Sequence, residues 1–295
     1  MNKIAIIGKF TNIFDEEYIA RSFEMLGCHV DRIPQHLQWF DIKTALEKSK
    51  PDILLFTKWN WPNELDQTLI YLKRMGTKLV SWLFDIYFDY PREYQIRNAK
   101  FFKADYVFTT DNGHNHRWPA MGINHHCIRQ GIFAEECYMA DRATYKYDVV
   151  FIGSENPMFM QRNEILYKLD KDFKFTWFGR KNTAEKRSHD LNRLFAETKI
   201  VVGDSYPSPR YWSNRIVETL GRGGFLIHRE VEGLKEEYPH LVTYNGTYED
   251  LKKKISYYLE HDKEREEIII KNFNHVKDNF TMDKKCKQLL QWVNQ

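Results

Sequence analysis

The chain has 295 residues, 15% of them aromatic, and a formal net charge of +3. That length accommodates two domains of about 140 residues, each with its own core. Residues 1–140 carry 17 Lys+Arg against 17 Asp+Glu, leaving 27 against 24 of the totals 44 and 41 for the rest, a balance that argues against a general nucleic-acid binder. No apolar run reaches the roughly 18 residues of a membrane span. The chain opens directly into a strand, and its four cysteines (28, 127, 137, 286) show no C-x-x-C spacing. Both features predict a cytoplasmic setting without a signal peptide.

Lys3 to Gly8 is a short apolar run ending in Gly, the pattern of a buried parallel strand. Glu16 to Leu26 reads as a helix, Cys28 to Ile33 as a strand, Asp41 to Lys50 as a helix and Asp52 to Phe56 as a strand. A helix over Glu64 to Met75 and strands over Lys78 to Phe84 and Tyr106 to Thr109 continue the alternation. It restarts with a strand at Tyr147 to Gly153, a helix at Gln161 to Leu169 and a strand at Phe173 to Phe178. Then come a helix at Asp190 to Glu197, a strand at Lys199 to Gly203, a helix at 214–221 and a strand at 225–227. Helices are predicted over Leu251 to Glu260, Asp262 to about Asp278 and 283–294. Alternating strands and helices call for two doubly wound parallel sheets covered on both faces. The predicted division is 1–140, 141–280 and a terminal helix in 281–295.

The segment Tyr211 to His228 is the most specific. Ser213 is a good N-cap, and Gly223-Gly224 a good stop. Ile216, Val217 and Leu220 make one buried face; Arg215, Glu218 and Arg222 make the other. A helix N-terminus with Ser213, Asn214 and an Arg in its first turn suits a phosphate. Glu218, one turn on, suits a sugar's vicinal hydroxyls.

Arg215-x-x-Glu218 followed by Leu220-Gly-x-Gly-Gly resembles the signature of the C-terminal domain of GT-B glycosyltransferases, most closely the spore-maturation (CgeB-like) branch. The resemblance runs through Gly233-Leu234, Tyr248 to Leu251 and Tyr257 to His261 to Asn279-Phe-Thr-Met282. It covers the last 150 residues or so well and the first 140 in outline. It implies two Rossmann-like domains facing a central cleft, a nucleotide-sugar held by the second, an acceptor presented by the first, and a last helix crossing back to the first. Retaining relatives carry a further Glu eight residues before the one at Glu218; here that position is Arg210.

Other strand ends supply candidates. Gly153 and Ser154 follow the first strand of the second domain, where small residues let a backbone approach phosphate, the alternative being an ordinary turn. Gly179, Arg180 and Lys181 close another strand. There Gly179 allows a turn under a nucleobase and either cation reaches for the diphosphate. The loop Asp204 to Arg210 holds two prolines, with Tyr206 placed to stack on the nucleotide. In the first domain Asp85 ends a strand, as a general base would, with Asp89 its competitor and a cap the bland reading. His114 and His116, near His125-His126-Cys127, lack a zinc-like spacing and are read as partners of the donor sugar rather than metal ligands. Gly8-Lys9-Phe10-Thr11 lacks the upstream part of a phosphate loop.

These features predict a metal-independent glycosyltransferase, hexosyl or pentosyl, with a UDP- or GDP-sugar as co-substrate and no cofactor. Arg215 stabilises the leaving diphosphate and Glu218 holds the ribose. The acceptor stays open among a glycan, a protein and a modified DNA base. A viral-type DNA glycosyltransferase would draw on Lys9, Lys58, Arg92, Arg97 and Arg117 for a basic face. A sugar-nucleotide binder without catalysis is the remaining alternative.

Overall fold

The computed structural model describes residues 2–11, 14–142, 144–180 and 188–295. Lys181, one of the two predicted diphosphate cations, lies outside them. The chain divides into unit 1, Met1–Gln130 with Met282–Gln295, and unit 2, Gly131–Thr281. The division falls after Gln130 rather than 140. Ile132 accepts the chain into unit 2 beside its exit: the two ends pair at Ile132 and Thr281.

Unit 1 contains β1 (Lys3–Gly8), α1 (Asp15–Met25), β2 (His29–Pro34), α2 (Trp39–Ser49), β3 (Ile53–Phe56) and α3 (Asp66–Arg74). It continues with β4 (Lys78–Leu83), α4 (Gln95–Asn98), β5 (Tyr106–Thr109), α5 (Arg117–Ala120) and β6 (His125–Cys127). The six strands form one parallel sheet in the order β2-β1-β3-β4-β5-β6. Side chains alternate across a strand, so Ala5 and Ile7 enter one core, with Leu54 and Phe56, while Ile4 and Ile6 enter the other, with Leu55 and Trp82. Burial on both faces is why these strands read as unbroken apolar runs.

Unit 2 contains β7 (Tyr147–Ile152), α6 (Met160–Asp172), β8 (Phe175–Phe178), α7 (His189–Ala196), β9 (Thr198–Gly203), α8 (Arg215–Leu220) and β10 (Leu226–Arg229). Then follow α9 (Leu234–Glu237), β11 (Val242–Tyr244), α10 (Tyr248–Glu260) and α11 (Asp262–Asn279). Its five parallel strands run β11-β10-β9-β7-β8. The last helix, α12 (Met282–Val293), packs in unit 1, where Met282, Cys286, Leu289 and Val293 join the core of Ile4, Ile6 and Phe23. No helix among the described residues is long and apolar enough to cross a membrane.

Two strands went unpredicted, β6 and β11. Both are three-residue edge strands, too short for a periodic signal. The histidines of β6 are packing residues. His125 stacks on Trp118 at 4.5 Å and bonds Thr109 Oγ1 at 2.7 Å, while His126 stacks on Trp292 of α12 at 4.0 Å. Burial pushes the His125 pKa down to about 3.

Candidate functional site

In the sheet of unit 2 the chain passes from β7 outward to β8, then crosses to β9 on β7's other side. The carboxyl ends of β7 and β9 therefore flank the switch point of the sheet, where ligands of open α/β folds bind. Arg215, the first residue of α8, spans that point. Its Nε donates to Ile152 O at the end of β7 (2.7 Å), and its Nη1 donates to Asp204 O just beyond β9 (3.2 Å). Ser213 Oγ accepts from the backbone N–H of Arg215 (3.2 Å), but the N-cap position is Asn214, one residue later than predicted, and no side chain caps it. The helix itself is shorter than predicted, six residues rather than eight.

A second guanidinium lies beside the first. Arg162, on the first turn of α6, is 7% exposed, and its Nη2 donates to Ser154 O at 2.8 Å. Arg215 and Arg162 both sit over the Phe151 ring, 5.1 and 5.3 Å from its centroid. Phe159 lies 4.2 Å from Arg162, and Tyr206 meets Phe159 edge-on. Among the described residues neither arginine forms a salt bridge, and Arg162 Nε is buried without a hydrogen-bond partner. A carboxylate in the neighbourhood of both, Asp204, is buried and stands 4.0 Å from a third arginine, Arg229. Burial pushes the Asp204 pKa up. Burial, together with Arg162 alongside, pushes that of Arg215 down to about 10, and burial lowers that of Arg162. Sequence reasoning missed Arg162, whose place inside a helix of low amphipathicity gave no signal.

A buried polar chain fixes the loop after β9. His228 Nδ1 donates to Arg229 O (2.6 Å), and its Nε2 accepts from Ser205 Oγ (3.1 Å), which accepts in turn from Ser213 N (2.9 Å). These bonds hold the neutral imidazole, and burial pushes its pKa down to about 4.

The glycine loops close the site. A Cβ at Gly153 would fall 2.8 Å from Arg215 Nη2, and one at Gly179 (φ +88°) would fall 2.9 Å from Gly153 O. Side chains at either position would push the β7 loop off the arginine. Beside them opens a pocket of about 580 Å³, lined by Ser154, Glu155, Pro157, Asn163, Tyr167 and Gly179. Arg180 lies over Tyr167 and Trp177 and is paired with Glu155 (3.6 Å) and Asp170 (3.4 Å). It therefore braces the pocket wall rather than standing as an unpaired cation.

Glu218 and Arg222 depart from the expected exposed face. Arg222 is 2% exposed and bridges the carboxylates of Glu218 and Glu136. One Glu218 oxygen is thereby held, while Oε1 has no partner among the described residues. Burial pushes the Glu218 pKa up.

In unit 1, both oxygens of Asp85 are engaged within the unit, Oδ2 by Lys58 and Oδ1 by Arg92 Nη1 (2.7 Å). The same pairing removes Lys58 and Arg92 from a basic nucleic-acid face. Asp89 pairs with Arg117 (2.9 Å) and His114 (3.0 Å), and His114 bonds Asp111 at 2.9 Å. His116 is exposed and lines a pocket of about 530 Å³ with Phe88, Tyr94 and Arg117. Among the described residues no cluster of three or more His, Cys, Asp or Glu could hold a metal ion.

Residues 148–291 match the family described as glycosyl transferase-like. No curated protein sequence matches this chain. Solved structures similar to it include an α1,3-fucosyltransferase with GDP-fucose, at 12% identity and TM-score 0.55, covering 99% of this chain and 90% of that one. The α,α-trehalose 6-phosphate synthase of Burkholderia multivorans is similar at 9% identity and TM-score 0.61, covering 100% and 98%. The UDP-GlcNAc 2-epimerase of Methanocaldococcus jannaschii is similar at 10% and TM-score 0.54, covering 99% of each. Two doubly wound units and this set of structures define the GT-B fold. The match of residues 148–291 is to a broad glycosyl transferase-like family and does not single out the CgeB-like branch. The set includes an epimerase, so the fold by itself does not fix the reaction.

Proposed function

We propose that this chain is a glycosyltransferase that moves a hexosyl or pentosyl group from a UDP- or GDP-sugar to an acceptor hydroxyl. One observation supports the reading: Arg162 and Arg215 both lie over Phe151 at the switch point of unit 2, and among the described residues no carboxylate pairs with either. Two partly desolvated guanidinia side by side are unfavourable unless an anion neutralises them. A diphosphate has the charge and the oxygens for both, and Gly153 lets it approach the backbone. When the bond between sugar and diphosphate breaks, its electron pair goes to the diphosphate. Arg162 and Arg215 meet that growing charge, the task a divalent cation would otherwise perform, so the reaction proceeds without one. Glu218, held through one oxygen by Arg222, offers Oε1 to the ribose. The pocket beside Ser154 and Gly179 takes the nucleobase against Tyr167.

Titration calorimetry with UDP, GDP and their hexose conjugates tests this. Arg215→Ala is expected to weaken the best-bound nucleotide by about 2 kcal/mol, a charge-assisted contact. An affinity unchanged in Arg215→Ala would remove the assignment.

A further inference from the structure

The 580 Å³ pocket of unit 2 is lined chiefly by hydrogen-bond acceptors. Glu155 supplies a carboxylate, which accepts and cannot donate. Tyr167 Oη donates to its Oε1, and Arg180 Nε stands 3.6 Å from its Oε2. A carboxylate has roughly four acceptor positions, two on each oxygen, so each oxygen keeps one for a ligand. Asn163, 8% exposed, stands on the same wall. Its Nδ2 donates to Asn156 O (3.0 Å), which fixes the amide's orientation. Its Oδ1 is then left buried with no hydrogen-bond partner among the described residues. Such an acceptor is unfavourable until a ligand brings a donor, directly or through a trapped water. Ser154 is exposed and contributes a hydroxyl donor. The wall is held without a ligand. Gly153 N donates to Phe178 O (2.8 Å), Trp177 Nε1 donates to Gly153 O (2.7 Å), and Asn156 Oδ1 accepts from Met158 N (2.9 Å). Acceptors fixed in this way discriminate by what they meet, because they do not rearrange to suit a poorer match.

We propose that Glu155 is the specificity-determining residue of the donor site and that the nucleobase it selects is guanine. The proposal rests on the glycosyltransferase reading, with this pocket as the seat of the base. Guanine carries N1–H and N2–H side by side on one edge, and the two donate in parallel to the two oxygens of one carboxylate. Its O6, next to N1, accepts from a hydroxyl such as that of Ser154. Uracil has a single N–H between two carbonyl oxygens, so a carboxylate that accepts from it also meets an oxygen of like charge. Adenine and cytosine each set a ring-nitrogen lone pair beside the amino group, and that lone pair meets the second carboxylate oxygen. Of the four common bases only guanine presents two adjacent donors. Tyr167, 39% exposed, gives the base a flat wall.

The test is titration calorimetry on the whole chain with GDP, UDP and inosine diphosphate, which is GDP without the 2-amino group. The wild-type chain is expected to bind GDP at least about tenfold more tightly than either of the others, the equivalent of one charge-assisted hydrogen bond. Glu155→Gln exchanges one acceptor for an amide donor, a match for the N–H and carbonyl pair of uracil. It should weaken GDP by about tenfold, remove the advantage of GDP over inosine diphosphate, and leave UDP binding unchanged or tighter. A Glu155 that only held Tyr167 in place would, when replaced, weaken all three nucleotides alike. UDP or inosine diphosphate bound as tightly as GDP by the wild type, or equal losses for all three in Glu155→Gln, overturns this proposal and leaves the transferase reading standing. A wild-type chain that binds neither GDP nor UDP overturns both.

Discussion

In unit 1 three cations beyond the strand ends meet carboxylates: Lys58 and Arg92 on Asp85, Arg117 on Asp89 and Glu93. In unit 2, Arg162 and Arg215 meet carbonyl oxygens and the ring of Phe151 instead. A neutralised surface suits an uncharged ligand. An unneutralised pair suits an anion. The difference separates the two units on electrostatic grounds without reference to ancestry. Unit 2 also contains its own control, since Arg222 is as deeply buried as Arg162 but is flanked by two carboxylates.

That control gives the largest expected effect. Arg222→Ala leaves Glu136 and Glu218 facing each other without their shared cation and should cost about 3–5 kcal/mol in denaturant unfolding. A cost below 1 kcal/mol would mean the carboxylates are neutralised by something else. Next is an acid effect at His228. Its pKa is pushed down to about 4 in the folded chain, against about 6.5 when unfolded. The unfolded chain therefore takes up the proton first as pH falls. Stability is full above pH 6.5, declines toward about 4 and levels off below, by about 3 kcal/mol in all. His228→Gln should flatten that part of a melting-temperature–pH curve; an unchanged slope would assign it to other groups.

Arg162→Met should produce opposite signs in two measurements. Removing an unneutralised buried charge should raise the melting temperature of the ligand-free chain by about 2–4 °C, while UDP or GDP binding weakens by about tenfold. A lower melting temperature would show that the ligand-free chain already balances this arginine, and the contrast between the units would fail. The smallest effect belongs to Asp85→Asn. Its pairs are partly exposed and worth about 0–1 kcal/mol, so stability should change little and turnover should stay near wild type. A fall of about 10²-fold in turnover would return the base to Asp85.

Most of the fold was legible because parallel strands buried on both faces leave apolar runs that no loop imitates. Lys3–Gly8 and Tyr147–Ile152 are examples, and Ala5/Ile7 and Ile4/Ile6 feed opposite cores. The edge strands β6 and β11 left no such run. At the site, Arg215 and Gly153 were legible from spacing against glycine-rich turns. Arg162 was not, because what makes it informative is that no carboxylate among the described residues pairs with it, a property of three-dimensional neighbourhood. The histidines show the same limit in reverse. His114, His125 and His126 look alike in sequence, yet His125 and His126 stack on tryptophans while His114 stands between two aspartates. Asp85 was singled out for its place at a strand end, and only the structure reveals the two cations on it.

The return of α12 to unit 1 bears on how the chain is made. Unit 1 cannot complete its core from its first 130 residues, because Met282, Cys286, Leu289 and Val293 fill the face formed by Ile4, Ile6 and Phe23. A ribosome adding about 5–20 residues per second needs on the order of 10–30 s to synthesise Gly131–Thr281 before those side chains emerge. During that interval the nascent sheet presents an uncovered apolar face, the kind of surface that chaperones bind and that drives aggregation. A chain ending at Thr281 would keep it permanently.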